Sequence, residues 1–193
     1  ALAAPASVSI IRTRHNIYPV GNHIANRWLF RKKTAQVITI FGDQKHFFTD
    51  SGLLKPDDII TLHSPLPQEF SNPSNADRTV RRELKLSDDT PLIGYVANLH
   101  PDKAPLDFIE VAARIARDFP AAHFAMAGHG PLDVPIRERL KSFDFGERFH
   151  MLGFRKDMVN VMASFDILVL TSVTREASST VLKQAGAMGV PCI

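Results

Sequence analysis

The chain has 193 residues, of which 45% are hydrophobic and 22% are charged, and its formal net charge is +3. This composition is typical of a folded globular protein and excludes disordered and fibrous classes. The single cysteine, Cys192, cannot form an internal disulfide, so nothing indicates an oxidising compartment and a cytoplasmic location is expected. No apolar run approaches the roughly 20 residues that span a bilayer, so any membrane contact would be peripheral.

Short β-branched runs alternate with amphipathic stretches along the chain, a pattern that predicts parallel strands joined by helical crossovers. The expected strands cover residues 6–12, 35–40, 58–62, 91–97, 122–127, 148–153 and 166–171. The expected helices lie near residues 23–33, 43–52, 76–86, 104–118, 133–143, 156–164 and 178–188. The clearest helix is 104–118, whose apolar stripe includes Phe108, Ala112 and Phe119. The sequence therefore predicts an α/β fold with Rossmann-like parallel sheets and flanking helices.

One segment interrupts this alternation. Residues 63–77, HSPLPQEFSNPSNAD, contain three prolines and a cluster of serine and asparagine, which indicates a linker. It divides the chain into a front part, residues 1–73, and a back part, residues 74–193. The last residues, GVPCI, are expected to start a further strand, so the chain is expected to be a fragment.

The basic excess lies in the front part, and some of it belongs to Asn26–Lys33, NRWLFRKK. This stretch is either a basic amphipathic helix that contacts anionic lipid headgroups or a helix with a core face and a solvated basic face. Nucleic-acid binding is not expected, because no clustered basic and aromatic surface and no binding motif occur elsewhere.

Two loops that follow predicted strands are candidates for ligand binding, because open parallel sheets bind ligands beyond the carboxyl ends of their strands. In ANLHPDKAP, residues 97–105, Lys103 stands at the start of a helix, where it either neutralises a phosphate or caps a turn. In AGHGPL, residues 127–132, Gly128 and Gly130 either allow close approach of a ligand to the backbone or form a plain turn.

A third loop carries Glu176, and the residues Ser178, Ser179 and Thr180 then lead into the last predicted helix. One of these hydroxyls is expected to cap the helix, whose first amides would then face a ligand. Gln184 lies about two turns further on and either points towards the same ligand or is an exposed surface residue. Together the three loops predict a site for a phosphorylated ligand.

The back part resembles the donor-binding domain of family-4, or group 1, retaining glycosyltransferases, which have the GT-B fold. The stretches that carry the resemblance are VANLHPDK, AGHGPL, HMLGF, FDILVLTS and EASSTVLKQAGAMGVP. The front part is similar to the second half of the family's N-terminal domain through IIRTRHN and ITIFGDQKHFF. The resemblance implies two partial Rossmann-like domains, the front one on the acceptor side.

The resemblance also implies a donor substrate, a UDP- or GDP-sugar bound by the back part. Lys103 would pair with its diphosphate, and the amides near residues 178–180 would hold a phosphate. Gly128 and Gly130 would let the backbone approach the nucleotide. Glu176 would accept hydrogen bonds from hydroxyls of the donor sugar.

Three further positions follow from the resemblance. His15 would contact the transferred sugar near the reacting carbon, although a histidine after a strand is often structural. The family's phosphate-binding arginine is replaced by Asn98, and the second glutamate of its Glu-x7-Glu pair is replaced by Gln184. A hydrogen bond to a charged acceptor is worth roughly 1.5–3 kcal/mol and a neutral one roughly 0.5–1.5 kcal/mol, so Gln184 would hold the ribose less tightly.

The activity that the resemblance implies is sugar transfer to a glycan or lipid-linked acceptor with retention at the anomeric carbon. Such a reaction would belong to envelope polysaccharide or glycolipid synthesis, at the inner face of the cytoplasmic membrane. The sequence contains no Asp-x-Asp, so neither a metal nor another cofactor is expected. The alternatives are an epimerase or phosphorylase of the same fold, and a catalytically idle nucleotide-binding module, which Asn98 and Gln184 would favour.

Overall fold

The computed structural model describes residues 7–16, 18–173 and 179–193, and these residues form two compact units. The front unit ends at Pro65 and the back unit begins at Leu66, a boundary inside the segment predicted as a linker. After this boundary, the 3-10 turn Gln68–Ser71 buries Phe70 in the core of the back unit. No helix among the described residues is both long and apolar enough to cross a bilayer.

The front unit is a parallel sheet with the strand order β1-β2-β3. Its strands are β1 (Ile11–Arg14), β2 (Gln36–Thr39) and β3 (Ile59–Thr61), and its helices are α1 (Ile24–Lys32) and α2 (His46–Thr49). The strands β2 and β3 lie within the predicted ranges. The prediction of a strand at 6–12 is wrong in its bounds, because pairing with β2 begins only where Ile11 lies opposite Gln36.

The core of the front unit lies between the sheet and the helices. Val37 and Ile59 pack there with Phe30 of α1 and Phe48 of α2, whose rings meet edge to face at 5.2 Å. On its other side α1 exposes basic residues, and Lys33 lies 5.6 Å from the centre of the Trp28 ring. Residues 26–32 of this stretch thus belong to a helix that buries Phe30 and leaves basic residues exposed, and Lys33 caps its end.

The back unit is a second parallel sheet, with the strand order β6-β5-β4-β7. Its strands are β4 (Leu92–Val96), β5 (His123–Ala127), β6 (Phe149–Gly153) and β7 (Ile167–Leu168). Its helices are α3 (Thr79–Glu83), α4 (Pro105–Asp118), α5 (Asp133–Leu140), α6 (Met158–Ala163) and α7 (Thr180–Ala187). Beyond β7, Leu168 forms an isolated parallel bridge with Cys192, so GVPCI lies beside β7 as a strand there would, and the strand itself stays a prediction.

Helices cover both faces of the back sheet, which explains why β4 is buried along its whole length. One face packs under α4, where Phe108 and Ile109 contact the side of the sheet that carries Phe124. The other face packs under α6, which buries Val161 and Met162. The prediction that Phe119 belongs to the buried stripe of α4 is wrong, because the helix ends at Asp118 and the Phe119 side chain turns into solvent.

Two histidines form a pair near the amino edge of this sheet. Nδ1 of His123 lies 3.0 Å from Nε2 of His150, and the two rings are almost parallel. Burial lowers the pKa of both imidazoles, and the positive charge of Arg148 lowers the pKa of His123 further. The folded protein therefore favours the neutral pair.

We expect the free energy of unfolding to fall as the solution is acidified. Since the folded pKa values lie below the unfolded ones, the unfolded chain binds protons first when the pH drops below about 6.5. Stability from this pair should be complete above that pH and should be lost as the pH falls towards the folded pKa values. Urea denaturation at several pH values should show a smaller acid loss for His150→Asn than for the wild type. Equal acid losses in the two proteins would contradict this.

Candidate functional site

A cavity of about 460 Å³ lies at the carboxyl edge of the back sheet. The chain order reverses at β4, since β5 and β6 lie on one side of it and β7 on the other. Ligands of open parallel sheets bind beyond the strand ends at such a reversal. The lining comes from the loops after β4, β5 and β6 and from α6 and α7: Val96, Ala97, Asn98, Ala127, Gly128, His129, Phe154, Arg155, Met158, Val181 and Gln184.

Three of the predicted site residues meet in this cavity. Asn98 follows β4, Gly128 follows β5, and Gln184 is a half-buried residue of α7. They are far apart in the sequence, and the parallel sheet brings them together because its strands all end at one edge. The expectation that these loops form one site therefore agrees with the geometry, whereas the ligand of each residue stays a prediction.

Lys103 does not line the cavity, but its backbone is fixed close to the reversal point. Its carbonyl accepts a hydrogen bond from the Tyr95 hydroxyl at 2.8 Å and one from the Thr171 hydroxyl at 3.2 Å. Thr171 lies in the loop after β7, and Val173 of the same loop donates its N–H to the carbonyl of Asp102. The loop that carries Lys103 is thus tied to the loop that leads towards Glu176.

Gly128 and Gly130 are required where the loops after β4 and β5 pack together. Gly128 has a φ of +140°, and a Cβ atom there would lie 1.9 Å from the carbonyl oxygen of Ala97. A Cβ atom on Gly130 would lie 2.6 Å from the carbonyl oxygen of Leu99. Contact between loops thus accounts for both glycines, and their approach to a nucleotide stays a prediction.

The start of α7 has the predicted cap. Ser179 is the N-cap residue, and its Oγ accepts a long hydrogen bond of 3.4 Å from the N–H of Leu182, while Thr180 is the first helical residue. Neither residue lines the cavity. Glu176 and Ser178 lie outside the described residues, so their roles stay predictions.

His15 belongs to the front unit, directly after β1, and its side chain is exposed. The other described site residues belong to the back unit. The contact of His15 with a transferred sugar stays a prediction.

Arg155 is a residue of the cavity that sequence reasoning missed. Its guanidinium donates to both carboxylate oxygens of Glu83, at 2.7 and 2.9 Å, and to both of Asp157, at 2.8 and 2.7 Å. The hydrogen bonds with Glu83 and then Asp157 raise the pKa of Arg155, and those from Arg155 lower the pKa of both acids. Two carboxylates thus neutralise the guanidinium of Arg155. The sequence signal was the charged stretch RKD, residues 155–157, in the loop after β6.

The same loop exposes an aromatic ring at the cavity. Phe154 is 68% exposed although it is a large apolar residue, and the ring of His129 lies edge-on to it at a distance of 6.5 Å. Met158 and Val181 add apolar surface nearby. This part of the lining suits a flat, partly apolar group.

Among residues 7–16, 18–173 and 179–193, no group of three or more His, Cys, Asp and Glu side chains could hold a metal ion. The expectation of a site without metal concerns the whole protein and stays a prediction.

Comparison with known protein families gives a match to the model described as "Glycosyl transferases group 1", over residues 90–193. One curated relative is the 2-deoxystreptamine N-acetyl-D-glucosaminyltransferase of Streptomyces fradiae, 30% identical over 57% of this chain and 27% of its own length. Another is the UDP-Gal:alpha-D-GlcNAc-diphosphoundecaprenol alpha-1,3-galactosyltransferase of Escherichia coli, 25% identical over 84% of this chain and 43% of its own length. The chain thus spans less than half of each of these relatives.

Two solved structures are also similar. A glycosyltransferase from Rickettsia africae matches with a TM-score of 0.78 and 15% identity, over 94% of this chain and 50% of that one. Anabaena Alr3699/HepE in complex with UDP matches with a TM-score of 0.76 and 18% identity, over 95% of this chain and 52% of that one. At this level of identity the likeness concerns the fold, and it confirms the predicted fold class.

Proposed function

The chain belongs to the group 1 glycosyl transferases, and we propose that it transfers a sugar from a nucleotide-diphospho-sugar donor to a glycan or lipid-linked acceptor. The observation that carries this proposal is the cavity at the carboxyl edge of the back sheet, where Asn98, Gly128 and Gln184 meet. The UDP in the Anabaena structure supports a uridine donor, and the name of the Escherichia coli relative supports a lipid-linked acceptor.

The two sides of the cavity suit different parts of the donor. β5 separates β6 from β4, so the loop with Phe154 and the loop with Asn98 lie on opposite sides. We assign the nucleobase to the Phe154 side, because bases stack on aromatic rings and Arg155 is already neutralised there. We assign the diphosphate to the Asn98 side, where the next turn carries Lys103.

The chemistry that we propose relies on electrostatic stabilisation. As the bond between sugar and diphosphate breaks, negative charge grows on the leaving phosphate, and Lys103 and the amides at the start of α7 would stabilise it. Glu176 would orient the sugar through its hydroxyls, and His15 would contact the sugar near the reacting carbon. The departing phosphate can accept the proton of the acceptor hydroxyl, so the acceptor would attack from the same face with retention of configuration.

Cellular location is part of the same proposal. We place the reaction in envelope polysaccharide or glycolipid synthesis, in the cytoplasm at the inner face of the membrane. The exposed basic residues of α1, Arg27, Arg31 and Lys32, offer a weak peripheral contact with anionic lipid.

Donor binding is tested by titration calorimetry of the protein with UDP and with GDP. We expect one of them to bind, and Phe154→Ala to weaken that binding roughly tenfold through the loss of base stacking. Val134→Ala, which removes another exposed apolar side chain of the back unit outside the cavity, should bind like the wild type. If neither nucleotide binds, the proposal is refuted.

Transfer itself is tested with a labelled sugar nucleotide. Glu176→Gln should lower the rate of transfer about ten- to hundredfold while nucleotide binding persists, because the carboxylate is expected to contact the sugar and not the nucleotide. Product formation without any acceptor would favour an epimerase. An unchanged rate of transfer by Glu176→Gln would show that Glu176 does not contact the donor sugar.

A further inference from the structure

The loop between β6 and α6 carries Phe154 to the cavity at the carboxyl edge of the back sheet. Before Phe154 this loop is fixed, because the carbonyl of Gly153 accepts a hydrogen bond of 2.8 Å from the N–H of Gly128. The Phe154 ring itself is 68% exposed. Exposed side chains change rotamer readily, so the place of this ring at the cavity depends on how the backbone on both sides of it is held.

Arg155 holds the backbone on the other side of Phe154. Its side chain is 19% exposed, and four hydrogen bonds of 2.7–2.9 Å join its guanidinium to the carboxylates of Glu83 and Asp157. Four of the N–H groups are engaged in this way, which leaves one for any other partner. Arg155 is therefore an anchor of the loop more than a contact for a ligand, although it lines the cavity.

Glu83 ties this loop to a distant element. Asp157 directly precedes α6, whereas Glu83 is the last residue of α3 and stands 72 positions before Arg155. α3 is itself fixed, because Val80 is buried in the same core cluster as Val161 of α6. Hydrogen bonds between a guanidinium and both oxygens of a carboxylate are among the strong ones and define a direction. Glu83 thus sets where Arg155, and with it the loop, lies relative to the core.

We infer that Glu83 is a positioning residue for the nucleobase of the donor. It holds Arg155, and Arg155 keeps the ring of Phe154 in the place where the base stacks. The inference rests on the proposed function, which assigns the nucleobase to the Phe154 side. A ring that is already in place loses less conformational freedom on binding, so the affinity is higher. Because Glu83 does not line the cavity, its loss should weaken donor binding without removing a contact with the donor.

The test is a double-mutant cycle, read by titration calorimetry with the nucleotide, UDP or GDP, that the wild type binds. Glu83→Gln keeps the size of the side chain and removes its charge. We expect binding to weaken about three- to fivefold, less than the roughly tenfold expected for Phe154→Ala, because Glu83 acts only through that ring. In the Phe154→Ala protein, Glu83→Gln should therefore cause no further loss.

Glu110→Gln is the matched control for the cycle. It weakens an ion pair of similar exposure, with Arg139 of α5, away from the residues that line the cavity. This variant should bind the nucleotide like the wild type. The urea midpoints of Glu83→Gln and Glu110→Gln should agree, so that a difference in binding is not a difference in stability.

Three results of these measurements would overturn the inference. Wild-type affinity in Glu83→Gln would mean that the ring stays in place without the contact to α3. Additive losses in the double variant would mean that Glu83 acts by a route other than Phe154. A lower urea midpoint for Glu83→Gln than for Glu110→Gln, together with additive losses, would assign the effect to general destabilisation.

A measurement without nucleotide separates this inference from the proposed function. Chymotrypsin cleaves after exposed aromatic residues, and Phe119, at the end of α4, is about as exposed as Phe154 and serves as an internal reference. Relative to cleavage after Phe119, cleavage after Phe154 should be roughly threefold faster in Glu83→Gln and unchanged in Glu110→Gln. Unchanged cleavage in Glu83→Gln would overturn the inference even if UDP binds.

Faster cleavage in Glu83→Gln, in a protein whose wild type binds neither UDP nor GDP, has a different meaning. It would refute the proposed function, and with it the role of Glu83 towards a base, while the anchoring of the loop by Arg155 would stand. Failure of the donor site and failure of the anchor thus give different results.

Discussion

Replacing Gly128 with alanine should both destabilise the back unit and weaken donor binding. The new Cβ would lie 1.9 Å from the carbonyl oxygen of Ala97, a backbone atom that cannot rotate away, at a φ of +140° that favours glycine. The loops after β4 and β5 would have to separate, although hydrogen bonds such as that from Leu99 N–H to the His129 carbonyl join them. We expect the free energy of unfolding to fall by about 3 kcal/mol, from strain and overpacking together.

The same movement would displace both Asn98 and His129 from the cavity lining, so we expect UDP binding to weaken more than tenfold. Urea denaturation measures the first effect and titration calorimetry the second. Gly186→Ala is the matched control, because a Cβ atom added to this glycine of α7 would meet no neighbouring side chain or loop within 4 Å. That variant should gain about 0.5–1 kcal/mol of helix stability. Equal unfolding midpoints for Gly128→Ala and Gly186→Ala would show that the loops can separate at little cost.

The sequence predicts β2, β3, β4, β5 and β6 to within one residue at each end, and β1 and β7 less well. β4 and β5 are buried apolar runs bounded by turn residues, so their ends agree with the predictions to within one residue. β1 was placed too early because Val8 and Ile10 continue the apolar pattern, whereas strand pairing begins at Ile11. Strand pairing depends on a neighbouring strand that is distant in the sequence, and a local pattern carries no information about that neighbour.

The candidate site shows the same limit. Asn98, Gly128 and Gln184 could be grouped from the sequence, because each follows or faces the carboxyl end of a predicted parallel strand. The reason for Gly128 could not be predicted, since the atom that excludes a side chain belongs to another loop. The neutralisation of Arg155 could not be predicted either, because its partner Glu83 lies 72 positions away in the sequence.

A buried arginine at the amino edge of the back sheet is expected to contribute strongly to the stability of the back unit. Arg81 of α3 is 2% exposed, and its guanidinium donates to the carbonyl oxygens of Ser164 at 2.8 Å, Ser87 at 2.9 Å and Thr90 at 2.8 Å. It also pairs with the carboxylate of Asp166, directly before β7. One side chain thus joins α3 to the end of α6 and to the segments that precede β4 and β7.

Arg81→Met should therefore lower the free energy of unfolding by about 2–4 kcal/mol, because three carbonyl groups lose their buried donor while the volume is nearly kept. Asp166 adds less, since its side chain is 44% exposed and still accepts hydrogen bonds from the N–H of Leu92 and from Arg78. Arg81→Lys should recover part of the loss, since an ammonium group keeps the charge but cannot reach all four acceptors. The neighbouring Arg82 is 67% exposed and pairs with Asp77 at the surface, so Arg82→Met should change stability little. Urea denaturation of the three variants measures these effects. Equal stabilities of Arg81→Met and Arg82→Met would mean that water replaces the guanidinium, and that Arg81 does not hold these segments together.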